Sequence, residues 1–458
     1  MKNRLSTLAL LLMTAMLVVA CGGGSSGSSF SGSTGGGSTP AYLQVSMNSI
    51  EYGTFGYPMF AIARNDGNIL VSVSNWGGNT GVMANPLAGI QIFSKDPKSG
   101  ALSNPCANQS SNFFQMDAPS SVNQIFGLKP YPGYANSLGM AVEAAGADFY
   151  TLPNIKDCTI LMHPTNVPQP PNDPPKNRSA FDLAFTVDGR NAFIANEYGS
   201  ALGGSGTIGV LNVVRNAAGG FAGTALIANN FYLEVLGGQY IPGITLSHDG
   251  KRLYVTAETA INLASANPTK STNPTLVNSK CADGNINGLL TVIDVQKAVA
   301  GLGMAQSVIK TIAAGCSPVR VVETIDGKTI WLAARGDNKV FAFDVPTLIG
   351  ANPNNSLIGS ADSGGSAPVG LILFNQEQLL AVANSNRFTP DNPPGDPNIT
   401  NIAILDVRQP SSAKVVNTLA SGGLNYFPRN ITVDPDDSTL YVTNFNIGTL
   451  QVIKTVTK

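Results

Sequence analysis

Histidine occurs only twice in 458 residues, and charged side chains make up only 12% of them. So few imidazoles leave little material for a serine-histidine relay, and no GxSxG, HExxH, Walker or strand-to-helix GxGxxG pattern is present. The net charge is −1 and no Lys/Arg cluster stands out, which excludes a nucleic-acid footprint. The apolar run from Leu8 to Val19 is too short to favour a permanent membrane span. What the chain has in quantity is glycine, 49 residues, and proline, 29, with much Asn, Ser and Thr. These are the residues that turn-rich β-proteins need, because turns demand positive φ or local side-chain capping.

The last stretch, Ile431 to Ile453, reads as strand, acidic turn, strand, glycine turn, strand. Ile431, Val433, Leu440, Val442, Leu450 and Val452 alternate with polar or small residues, and Pro435-Asp436-Asp437-Ser438 is a turn by composition. Versions of the stretch recur at Pro368–Ser385, Pro318–Arg335, Ile241–Glu258, Ala180–Glu197 and Pro58–Asn75. With Asn430 as marker, the equivalent positions are Gly370, Arg320, Gly243, Asp182 and Phe60, in steps of 60, 50, 77, 61 and 122. The last step is twice 61, so a degenerate copy is expected midway, at Leu138–Leu152 followed by Thr159–Met162. Repeats of this length, each a few strands unable to bury their own faces, predict an all-β fold: a seven-bladed β-propeller. Tyr42–Val45 resembles Tyr232–Val235, which precedes the copy at Ile241 as an outer strand. The N-terminal strand is therefore expected to close the ring beside Leu450–Lys454 and cover the last edge.

Leu440-Tyr441-Val442-Thr443-Asn444, Leu253–Ala257 and the TVDG and SHDG turns resemble the YVTN repeat family of β-propellers, whose relatives include seven-bladed lactonase-like proteins. The resemblance covers nearly everything from Ala41 to Lys458. It implies the fold and leaves a lactonase-like hydrolase as one functional alternative, without any family catalytic residue mapping onto a matching position.

Ahead of the repeats, residues 1–20 have a basic start, Lys2 and Arg4, and an apolar core, as a signal peptide does. Leu17-Val18-Val19-Ala20-Cys21 resembles a bacterial lipobox, which implies cleavage before Cys21 and its lipidation. Three acyl chains would anchor the protein to a membrane without spanning it. Gly22 after the cysteine implies, by resemblance to enterobacterial lipoproteins, the outer membrane of the cell envelope. Residues 21–40 are then a flexible Gly/Ser linker and 41–458 the propeller.

Setting Cys21 aside leaves four cysteines, which in an oxidising compartment allow three pairings. Cys281 falls in a second-to-third-strand insertion and Cys316 in the loop leading into the next copy. Both loop types emerge on one face of a propeller, which favours Cys281–Cys316 and, by remainder, Cys106–Cys158. No close CxxC spacing supports a metal-thiolate site.

Long second-to-third-strand loops at Trp76–Ala88, Glu197–Gly206, Glu258–Asn287 and Ser385–Thr400 share that face, which is where binding on a rigid scaffold is expected. The alternative is that they are tolerated insertions. Alternation predicts that the Asn430 and Thr432 layers point to the axis, making Asp182, Arg320 and Asn430 candidates for orienting an anionic or carbonyl ligand. The preferred alternative is that Asp182 and Arg320 pair with each other or with backbone and close the pore. Glu258 and Arg335 are further candidates, since they follow Ala257 and Ala334 where other copies have Asn196, Asn384 and Asn444. The asparagines themselves are read as turn caps. No cofactor is expected, beyond a divalent cation that a mouth carboxylate would help hold. Two functions follow: a binding scaffold for a protein, glycan or small molecule, which is preferred, and the lactonase-like hydrolase with top-face acids.

Overall fold

A computed structural model describes residues 42–75, 88–106, 112–115, 125–132, 137–142, 146–154, 159–163, 180–197, 206–215, 221–226, 232–234, 238–260, 287–386, 401–420 and 426–458. The residues from Tyr42 to Lys458 form one compact unit. Cys21 and the stretches expected to be a signal peptide and a linker lie outside the described residues.

Apart from a two-stranded pair, the described residues fold into antiparallel sheets of four or five strands, laid down from the inside outwards except for the outermost strand of the last, which comes from Val45–Gly53. Their innermost strands are Tyr57–Ala63, Ile125–Pro130, Ala180–Phe185, Gly243–Leu246, Pro318–Glu323, Pro368–Phe374 and Pro428–Val433. These strands touch in that order, and the last touches the first. The architecture is a β-propeller. Short helices, Val295–Val299 and Val345–Ile349, follow the third strands of the fourth and fifth sheets. In each, the preceding aspartate, Asp294 or Asp344, accepts a hydrogen bond from a first-turn N–H.

Each sheet is apolar on both faces because it is sandwiched. In the last one, Leu440 and Val442 pack on Leu379, Ala381 and Ile404 of the sixth. Tyr441, Leu450 and Val452 face the other way, onto Ile69, Val71 and Val73 of the first. Burying one such side chain is worth about 1.5–3 kcal/mol, so the stack itself is the core.

The expectation of seven copies of the repeat is corrected. Six sheets carry it, whereas the second belongs to a segment out of phase with the predicted degenerate copy. Its inner strand is Ile125–Pro130; Ser137–Val142 is the second strand, Gly146–Asn154 the third and Thr159–His163 the outer one. The stretch between its first two strands lacks the Asp-Gly turn that marks other copies, so the spacing gave the right region and the wrong phase.

The N-terminal strand does close the ring, with a different register from the one expected. Val45–Gly53 pairs with Thr449–Thr457, placing Asn48 opposite Lys454 and Tyr52 opposite Leu450. Tyr42 to Gln44 lie beyond the ladder, where the Lys458 N–H donates to the Gln44 carbonyl at 2.9 Å. Side-chain packing fixes this register: Val45 is buried with Ile431 and Ile453, and the Tyr52 hydroxyl accepts from the Leu102 N–H at 3.0 Å. Tyr232–Glu234 takes the expected outer place, against Thr207–Gly209.

Candidate functional site at the axial mouth

Pairing between first and second strands slips at Pro58/Phe60, Ala180/Asp182, Pro318/Arg320, Pro368/Gly370 and Pro428/Asn430. The skipped residue is a β-bulge, and proline before it fits because it has no ladder N–H to lose. The bulge re-aims one residue per strand. Phe181, Val319, Val369 and Arg429, with Pro242 of the fourth sheet, line a small cavity of about 30 Å³ with Arg320, Phe427, Glu258 and Arg335.

This corrects the expected lining. Of the Asn430 layer only Arg320 reaches the cavity. Asp182 is 2% exposed, accepts from the Leu183 N–H at 2.9 Å and lies 3.7 Å from Lys129 Nζ. Asn430 accepts from the Ala61 N–H at 3.3 Å, tying the last sheet to the first. Gly243 is glycine for space: a Cβ there would lie 2.1 Å from the Val319 carbonyl oxygen.

Glu258 and Arg335 stand at the mouth because the second strands end there. Tyr240, Ser317, Ala367 and Phe427 adopt left-handed backbone, with φ of 54°, 48°, 53° and 46°. Their carbonyls accept from the N–H groups of Glu258, Arg335, Ser385 and Phe445, each at 3.0 Å. Arg335 then donates to Glu258 Oε2 at 2.7 Å, both side chains being mostly buried.

Two other guanidinium groups lie on phenyl faces. Arg320 Cζ is 5.1 Å from the Phe60 ring centre and 5.9 Å from that of Phe181. Arg429, 7% exposed, sits 5.3 Å from both Phe126 and Phe181, 5.4 Å from Phe445 and 5.8 Å from Phe427. Such contacts favour a desolvated cation but do not neutralise it. Arg320 donates to the Val319 carbonyl at 3.3 Å, and its buried Nε has no hydrogen-bond partner. Burial lowers the Arg320 pKa, with the carboxylates of Asp182 and Glu258 acting the other way from a distance. Asp182 and Arg320 are not hydrogen-bonded to each other, but each bonds to backbone, Asp182 accepting from the Leu183 N–H and Arg320 donating to the Val319 carbonyl, as the alternative reading allowed.

Sequence reasoning therefore found Arg320, Glu258 and Arg335 and missed Arg429 and Phe181. The available signal was the recurring Pro-x pair, Pro58-Met59, Pro318-Val319, Pro368-Val369 and Pro428-Arg429, which marks the bulge.

The asparagines at the second-strand ends are buried and hold the start of the third strand. Asn196 donates to Thr207 Oγ1 at 3.3 Å, Asn384 to Asn401 Oδ1 at 2.8 Å and Asn444 to Thr449 Oγ1 at 3.3 Å. Cys106 and Cys316 are each disulfide-bonded. Their expected partners, Cys158 and Cys281, lie outside the described residues, as does most of each long loop. Among the described residues no group of His, Cys, Asp or Glu is placed to hold a metal, and no helix is long and apolar enough to cross a membrane.

Among solved structures, the chain is similar to the β-propeller domain of Cps50 (Swd1) from Myceliophteria thermophila. The TM-score is 0.52 at 11% identity, and the match covers 90% of this chain and 99% of that one. A functionally unknown protein from Desulfotomaculum acetoxidans DSM 771 aligns at a TM-score of 0.41 and 16% identity, over 69% of this chain and 78% of that one. No protein-family model and no curated protein matches the chain. The first likeness supports the β-propeller fold alone.

Proposed function

We propose that the protein is a lipid-anchored binding scaffold of the bacterial cell envelope, related to the YVTN-type propellers, which engages a protein, glycan or small molecule through the loop face and the cavity at its centre. The observation that carries the reading is the cavity at the centre of the ring, to which the described residues contribute the charged side chains Arg320, Arg335, Arg429 and Glu258. The lipobox-like Leu17–Cys21 and the Gly/Ser linker support the tether. The hydrolase alternative has weaker support, since Glu258 is already salt-bridged and Asp182 lies outside the cavity lining.

Photo-cross-linking from the full-length chain in its own envelope tests the scaffold. Adducts are expected from a cross-linker at Lys339, exposed on the loop face, and not from one at Lys328, exposed at a turn of the opposite face. Adducts from Lys328 alone would overturn the choice of face. Palmitate incorporation that survives Cys21→Ser would overturn the anchor.

A further inference from the structure

We propose that the outer edge of Val45–Gly53 is a homodimer interface, at which a second copy of this chain adds the same strand antiparallel about a two-fold axis beside Ile50.

The ladder to Thr449–Thr457 runs for nine residues without a slip. In such a ladder alternate residues turn their N–H and C=O towards the partner strand, and the rest turn theirs away. The Lys458 N–H reaches the Gln44 carbonyl and the Thr54 N–H the Gly448 carbonyl, so the even-numbered residues face inward. The odd-numbered ones face outward, and both ends of that row are occupied. The Leu43 N–H donates to Asp406 at 3.1 Å, the Asn417 amide to the Val45 carbonyl at 2.6 Å and the Phe55 N–H to Gln91 at 3.1 Å. Between them Met47, Ser49, Glu51 and Gly53 offer their N–H and C=O to no other group among the described residues.

A bare edge is a template for another strand, and the other sheets blunt theirs with irregularities. The ladders to the outer strands of the second to sixth sheets each slip, at Thr159/Leu161, Val214/Arg215, Val292/Ile293, Ala342/Phe343 and Ile404/Leu405. In the first sheet two short pieces, Leu102–Ser103 and Phe113–Gln115, share the outer place. Among the described outer strands, Val45–Gly53 alone is both long and regular, and Glu51 is its single charge.

The row itself selects the occupant. Its free members are symmetric about Ile50, an apolar side chain left 58% exposed. A two-fold axis there sets Met47 opposite Gly53 and Ser49 opposite Glu51 of the second copy, so every free N–H and C=O of the row is matched. Ile50 then meets its own counterpart in a non-hydrogen-bonded pair, where side chains approach most closely. The chain's own front is a poorer occupant: apart from Phe30 and Pro40, residues 22–40 are Gly, Ser and Thr, without the apolar alternation of a strand. Glu51 lies diagonally across from its counterpart, which limits the affinity, and one strand a side places the contact in the weak class.

Disulfide trapping of the full-length chain in its envelope tests the axis. Ile50→Cys is expected to give a covalent dimer on mild oxidation, since the Cα atoms of a non-hydrogen-bonded pair stand about 4.5 Å apart, within disulfide reach. Asn48→Cys, offset from its counterpart along the strand, and Ile358→Cys, on the outer strand of the fifth sheet, should each give at least about tenfold less. Without cross-linking, sedimentation of the full-length chain in detergent should show a monomer–dimer equilibrium. Ile50→Lys places like charges opposite each other and should weaken it by about tenfold, whereas Glu51→Gln should tighten it severalfold. Both side chains are exposed, so the fold tolerates either change, and tightening cannot come from lost folding. No dimer from Ile50→Cys, equal yields from Asn48→Cys or Ile358→Cys, an undiminished dimer in Ile50→Lys, or a weaker one in Glu51→Gln overturns the proposal. A disulfide from Ile50→Cys to a different protein overturns the choice of a second copy.

Discussion

On the face opposite the cavity, single carboxylates hold neighbouring sheets together. Glu323 of the fifth sheet accepts from the His248 N–H and the Tyr254 hydroxyl of the fourth, both at 2.6 Å. Glu377 of the sixth accepts from the Ile325 N–H at 2.7 Å, and Asp437 of the last from the Gln376 N–H at 2.5 Å. The device is the same at three successive junctions: a turn amide of one sheet and an acid of the next. Glu323 is 4% exposed, so Glu323→Ala leaves buried donors unmatched and should cost about 2–3 kcal/mol. Glu377→Ala, nearer solvent, should cost well under half of that. Denaturant midpoints at constant slope check both. At this scale the sequence was partly legible. Arg320, Glu258 and Arg335 were reachable because they occupy repeat positions whose neighbours differ. Arg429 was not, because strict alternation assigns it away from the axis and only a bulge turns it inward. The latches were also hidden, since no periodicity in one sheet reveals an acceptor in the next.

The closing strand is the element on which the ring depends. Deleting the residues from Tyr42 to Gly53 should expose the edge of Thr449–Thr457 and leave Ile431 and Ile453 without Val45. The expected outcome is a concentration-dependent shift to larger species on size exclusion together with a lower thermal midpoint. A monomer of unchanged midpoint would show that the ring does not need the strand. That the front of the chain closes the last sheet was legible from YLQV and YLEV. The register was not, because four residues of likeness cannot weigh the packing of Val45 against that of Tyr52. The second sheet was misphased for a related reason. Without an Asp-Gly turn, its first strand carried no punctuation, and spacing alone cannot separate a first strand from a second.

For the molecule as a whole, acid is the condition that should unfold it. Burial works against ionisation of Asp436, yet hydrogen bonds from Lys95, Ser438 and Thr439 outweigh it and hold this carboxyl far below its ordinary range. Asp406 is lowered in the same sense: burial opposes its ionisation, and Arg408 and the Leu43 N–H prevail. Asp326 is lowered chiefly by the hydrogen bond from Thr324. A folded-state pKa below the unfolded one contributes stability that is complete above about pH 4 and is lost as pH falls through the folded values. Burial raises Glu51, Asp337 and Glu377, whose penalty when ionised lifts as pH falls through their higher values. Thermal midpoints should therefore be nearly flat from pH 8 to 6, with these three softening the first part of the decline, and should drop steeply below about 4. Reduction is the second whole-molecule test. Breaking the bonds of Cys106 and Cys316 should lower the unfolding free energy by about 2–4 kcal/mol for each. Non-reducing peptide mapping should return Cys158 and Cys281 as their partners.

The ladder between Val45–Gly53 and Thr449–Thr457 also sets an order of events during synthesis. The strand Val45–Gly53 has its partner about four hundred residues further along, so it must wait for nearly all of the propeller to be made before it can dock. Contacts so far apart along the chain slow folding. Until then the nascent propeller is an open arc with two raw ends. A chain built in this way profits from being kept unfolded until Thr449–Thr457 has been made, and a stop before that strand leaves the circle open rather than merely trimmed.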